Sequence, residues 1–145
     1  MFSIGNRQSS IDNSVTPKEM QARTKAFAVR VIKLVDSLPR GLSAQIIGRQ
    51  LLRSATSVGA NYRAACRGQS RAEFAAKLSI VVEESDEALY WLELVRETGL
   101  IKAELLVEII KEANELVAIT LASRKTAKTH GRLVNRQSTI DNRQL

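Results

Sequence analysis

Between Ile47 and Ala65 the apolar residues return every three or four positions, and that period leaves little choice of local structure. At about 100° of turn per residue, Ile47, Leu51, Ala55, Val58, Tyr62 and Ala65 gather within about 80° of arc. A strand would scatter the same residues over both of its faces. The segment therefore reads as an amphipathic helix, from about Ser43 to Arg67. Gly48 and Gly59 lie beside its apolar stripe. Glycine costs about 1 kcal/mol inside a helix, so close approach of a neighbouring helix is the expected reason for both.

Three further segments repeat the pattern. The first runs from about Thr16 to Leu38. Thr16 is placed to cap it, Pro17 takes the favoured first position, and Glu19 completes a capping box. Phe27, Val31, Leu34 and Leu38 form its stripe, and Pro39-Arg40-Gly41 ends it. After the break at Gly68-Gln69, Ser70 and Glu73 open a third helix carrying Phe74, Leu78, Val81, Ser85, Leu89 and Leu92. It stops at Thr98-Gly99, where glycine accepts a left-handed cap. The fourth begins near Leu100, carries Leu105, Ile109, Leu116, Ile119 and Leu121, and fades near Ser123.

Four helices with short connections predict an all-α protein, an antiparallel up-down four-helix bundle spanning residues 16–123. The flanks read differently. Asn6-Arg7-Gln8-Ser9-Ser10-Ile11-Asp12-Asn13 returns as Asn135-Arg136-Gln137-Ser138-Thr139-Ile140-Asp141-Asn142. The unit is polar, with one apolar residue per seven, where a coiled-coil seam needs two. Residues 1–15 and the basic stretch 124–145 are accordingly expected to be disordered tails. A paired recognition tag is the functional reading of the repeat.

Composition narrows the function classes. Apolar residues make up 44% of the 145, enough for a core, but no apolar run is long enough to span a bilayer. The single cysteine, Cys66, forbids a disulfide within the chain, and the first residues lack the pattern of a signal peptide, so a cytoplasmic location is expected. The only histidine, His130, falls in the basic tail. The acidic band of Glu83, Glu84, Asp86, Glu87 and Glu93 therefore lacks the Glu-x-x-His partners of a di-metal bundle site, and it reads as a solvated or salt-bridged face. Cys66 reads as a small packed residue, and no phosphate-binding glycine loop is present. No enzyme active site, cofactor or metal is expected. Asn61 and Tyr62 interrupt an alanine-rich stretch and read as helix–helix hydrogen-bonding residues, with a ligand site as the other reading.

The most informative polar pattern is Arg49, Arg53, Arg63 and Arg67, which share about 80° of arc opposite the apolar stripe, with no acidic residue on the same helix. A row of guanidinium groups matches phosphates along RNA or DNA. It equally matches carboxylates of a neighbouring helix or subunit, because the charge is segregated. Residues 1–68 hold eleven basic and three acidic residues, residues 69–123 five and eleven, and residues 124–145 six and one. Ile80, Trp91 and Leu94 lie off the stripe of the third helix and read either as an oligomer interface or as the edge of a wide core.

Three anchors in order carry a family resemblance: Ser54-Ala55-Thr56-Ser57-Val58-Gly59-Ala60-Asn61-Tyr62-Arg63-Ala64, then Ser70-Arg71-Ala72-Glu73-Phe74 with Lys77-Leu78, then Glu83-Glu84-Ser85-Asp86-Glu87 leading to Tyr90-Trp91-Leu92-Glu93-Leu94. They resemble the bacterial 23S rRNA intervening sequence proteins, a four-helix bundle family to which the accessory protein of diversity-generating retroelements is related. The resemblance implies a homopentamer, with a basic surface for nucleic acid or for a protein partner such as a reverse transcriptase. The chain departs from the family pattern at Gly59, where proline is usual, and at Tyr62-Arg63-Ala64, where an Ile-Ala-Glu pattern is common.

Overall fold

The computed structural model describes residues 15–143. Four helices follow one another: α1 (Pro17–Asp36), α2 (Leu42–Cys66), α3 (Arg71–Glu97) and α4 (Ala103–Arg143). Each sits in the groove of its chain neighbour. The α2–α3 seam is the most extensive, the α1–α4 seam the slightest, and the backbones of the diagonal pairs stay apart among the described residues. This is the expected antiparallel up-down bundle.

The local signals act as expected at most ends. Glu19 N–H donates to Thr16 Oγ1 at 3.1 Å and Thr16 N–H donates to Glu19 Oε2 at 3.0 Å, closing the capping box on α1. Glu73 N–H donates to Ser70 Oγ at 3.1 Å at the start of α3. Gly99, at φ +68°, turns the chain out of α3 in the left-handed region that other residues avoid. At Gly48 an added Cβ would lie 3.1 Å from Leu38 Cδ1, so its small size lets α1 and its C-terminal turn pack closely on α2.

The core is built from Met20, Phe27 and Val31 of α1, Leu51, Ala55, Val58 and Tyr62 of α2, Leu78, Val81, Leu89, Leu92 and Val95 of α3, and Leu106, Ile109, Ala113 and Leu116 of α4. Four hydroxyls are buried with them, and each donates to a carbonyl three or four residues back on its own helix: Thr24 to Gln21, Ser54 to Gln50, Ser85 to Val81 and Thr120 to Leu116. No buried polar side chain is left without a partner among the described residues.

Expectations on α4 need correction. Leu105 and Leu121, expected on its apolar stripe, are 71% and 41% exposed, and Leu106 is fully buried instead. The helix starts at Ala103, and its inward stripe runs Leu106, Ile109, Ile110, Ala113, Leu116, Thr120; Leu105, in the first turn, lies at the edge of that stripe, about 70° from its centre. The helix also continues past Ser123 to Arg143, where composition predicts a disordered tail. Extending an existing helix needs no new nucleus, and Lys125, Ala127, Lys128 and Arg132 are strong helix formers with no proline among them. No described residue beyond Thr120 is buried, so this extension lies outside the core. The expected N-terminal tail falls outside the described residues except for Val15, which packs against the core.

Candidate nucleic-acid interface

The apolar stripe of α2 faces inward, so the opposite stripe faces out. Arg49, Arg53, Arg63 and Arg67 are all exposed. They do not act alike. Arg53 reaches across to α3, donating to Glu84 at 3.2 Å and, by its other terminal nitrogen, to Glu87. Trp91 Nε1 donates to the same Glu87 oxygen at 3.1 Å. The hydrogen bond from Arg53, then that from Trp91, holds the Glu87 carboxyl below the usual range. The Glu87 bond in turn raises the Arg53 pKa. Arg53 is thus tied within the chain, in keeping with the carboxylate reading of the stripe.

Arg63 and Arg67 lie elsewhere. With Lys25 of α1 they border a groove of about 390 Å³ between α1 and α2. Its floor is made of small residues, Ala22, Ala28, Gly59 and Ala60. At Gly59 an added Cβ would only reach ordinary contact with Thr24, 3.4 Å from its backbone, so the close approach expected there is looser than at Gly48. No carboxylate lines the groove, and none of the described acidic residues pairs with Lys25, Arg63 or Arg67 within 4.0 Å. Arg49, one turn before Arg53, is likewise unpaired among the described residues.

The sequence alone does not single out Lys25. No local signal marks it; its place depends on how α1 docks on α2. Nor does it mark Arg23, whose Nε and Nη2 donate to Glu112 at 2.9 Å each, with Nη2 also 2.7 Å from Glu115. Partial burial opposes this charge, but the two carboxylates outweigh it and raise the Arg23 pKa. The bridge closes the slight α1–α4 seam.

The other residues singled out by the sequence separate in the same way. Asn61 donates to Ser57 O at 2.9 Å and Ser57 Oγ at 2.8 Å, so its partners lie on its own helix and not on a neighbouring one. Burial pushes the Tyr62 phenol up, and nearby Cys66 adds to the effect. Trp91 and Leu94 are half-buried, and Ile80 is 36% exposed. Trp91 packs against the core and stacks edge-on with Tyr90, ring centres 5.0 Å apart. Among the described residues no group of His, Cys, Asp and Glu is placed to hold a metal, and no helix is long and apolar enough to cross a membrane.

Fold and site together define a helical bundle with a cationic outer face on its first two helices. The pattern of the 23S rRNA-intervening sequence proteins matches residues 18–122, and the chain belongs to that family. It is similar to the crystal structure of a protein of unknown function from the S23 ribosomal protein family of Bacteroides thetaiotaomicron. The two are 35% identical, with a TM-score of 0.69, over 75% of this chain and 97% of that one. No curated protein matches the chain.

Proposed function

We propose that the protein is a non-enzymatic helical bundle that binds RNA or DNA through the α1–α2 face and works as a homo-oligomer. The observation that carries the reading is the groove bordered by Lys25, Arg63 and Arg67, three cations with no carboxylate partner among the described residues, on a floor small enough to admit a phosphodiester backbone. Cations already paired within a protein have little to offer a phosphate; unpaired ones release counterions from the nucleic acid when they bind. The family's name supports an RNA context, and a cytoplasmic location follows from that reading.

A gel shift with double-stranded RNA at two salt concentrations tests it. Arg63→Glu with Arg67→Glu is expected to abolish binding and flatten the salt slope, whereas Arg53→Ala leaves binding nearly unchanged because Glu84 and Glu87 already claim that side chain. Binding that survives the double change, or that has no salt dependence, would remove this reading.

A second reading is favoured by one observation. Val29 and Ile32 share the α1 face of Lys25, while Leu42 and Ile46 continue the outer face of α2. All four are exposed, Leu42 by 75%. Apolar and basic groups on one surface also suit a protein partner, in which case the bundle acts as an adaptor and the gel shift is negative.

A further inference from the structure

A separate cleft opens at the end of the bundle where α1 and α3 begin. It has a volume of about 510 Å³, within the range of small-ligand pockets. The Tyr62 ring, Phe74 and Ile119 give it an apolar floor, and Arg71 and His130 bring nitrogen donors to it. Its outer wall is the extension of α4, through Ser123, Thr126, Ala127 and His130. The sequence spacing behind that wall is helical: Ile119, Ala122, Ser123, Thr126, Ala127 and His130 follow at intervals of three, one, three, one and three. The extension therefore turns its small side chains toward the cleft and its lysines away.

Arg71 has no ion-pair partner among the described residues. No carboxylate lines the cleft, and Glu73, two residues on from Arg71, turns its side chain to the backbone, accepting from Gln69 N–H at 2.7 Å. An apolar floor beside a free guanidinium suits a ligand with an apolar body and an anionic head. The α1–α2 groove lacks the aromatic floor and does not offer this combination.

We propose that this cleft binds a small amphipathic organic anion, an aryl or alkyl carboxylate, sulfonate or phosphate ester, with its apolar body on Phe74 and Ile119 and its anionic group on Arg71. The site is independent of the nucleic-acid reading, and it exists only because α4 outruns the bundle.

Anilinonaphthalene sulfonate, an aromatic body with one anionic group, is the probe. Titrated into the full chain, it is expected to saturate at one site per subunit with enhanced fluorescence. Arg71→Ala should weaken binding roughly tenfold or more, the scale of losing a charge-assisted hydrogen bond. Ala127→Trp should fill the cleft from its outer wall and abolish binding without touching a buried core residue, and a melting curve for each variant confirms that it folds. Arg63→Ala, at the other groove, should leave the titration unchanged. Equal binding to wild type, Arg71→Ala and Ala127→Trp would overturn the proposal. So would a loss in Arg63→Ala alone, or no saturable binding at all. If Ala127→Trp breaks an oligomer while the wild type ignores the probe, a second copy of the chain fills the cleft and the proposal fails.

Discussion

Leu105 and Leu106 are chemically identical neighbours with opposite surroundings, 71% exposed and fully buried. Leu106→Ala is expected to cost about 2–5 kcal/mol through lost transfer energy and the cavity left behind, whereas Leu105→Ala should stay within about 0.5 kcal/mol. Urea denaturation of the two variants checks this, and equal losses would put the register of α4 in error. Composition could not separate the pair; the way the first turn of α4 docks on the bundle leaves one inside and the other out. Glu87 supplies the pH-dependent case. Its pKa is lowered from the 4.5 of a free glutamate, so the folded state gains stability from it above that value and loses the gain as pH falls through the lower folded value. Glu87→Gln should then lower Tm by about 2–4 °C at neutral pH, the scale of a half-exposed ion pair, and the difference should close in acid. A gap that persists unchanged below pH 4.5 would mean that the Arg53 and Trp91 bonds contribute nothing as charge-assisted contacts.

Helix ends marked by capping chemistry were legible, and those of α2, which has no side-chain cap at its start, were legible from its apolar period; the end of α4 was not. Thr16, Glu19, Ser70 and Gly99 act where their types predict, whereas Glu73 accepts from Gln69 N–H and not from Ser70, so the second capping box is only half formed. The end of α4 carries no such mark, and its polar repeat reads as disorder when judged by composition alone. What that reading misses is the small-residue stripe from Ala122 to Ala127, which holds helical spacing among the basic residues. The extension nonetheless adds nothing to the core. A chain ending at Ser123 is expected to lose the helical signal of the twenty residues from 124 to 143, while its Tm moves by no more than about 2 °C. Circular dichroism reports both quantities from one sample. A fall of many degrees would show that the extension supports the bundle. The outward stripe of α2 was legible as a stripe, but its division was not. Arg53 pairs with α3 and Arg63 joins a groove with Lys25 because of how three helices dock, and no local pattern encodes that.

At the scale of the molecule, chain order becomes spatial order. The basic helices α1 and α2 sit side by side, and so do the acidic α3 and the first half of α4, residues 103–123, because each helix packs on its chain neighbour. Such a bundle has one positive and one negative flank. In the homo-oligomer proposed above, copies would meet positive flank to negative flank, a head-to-tail contact of the kind that closes into a ring when the rotation permits. Light scattering at micromolar concentration is expected to give a multiple of the 16.0 kDa chain mass, with Trp91→Ala shifting it downward. A lone 16.0 kDa species would count against assembly altogether. The extension of α4 acquires a different meaning in a ring. Twenty helical residues reach about 30 Å, close to one turn of a nucleic-acid duplex. Rotation about a single axis places every copy at the same height, so all the arms lie at one pole. The assembly would be polar along its axis, with one end carrying a crown of basic spokes and the other end bare.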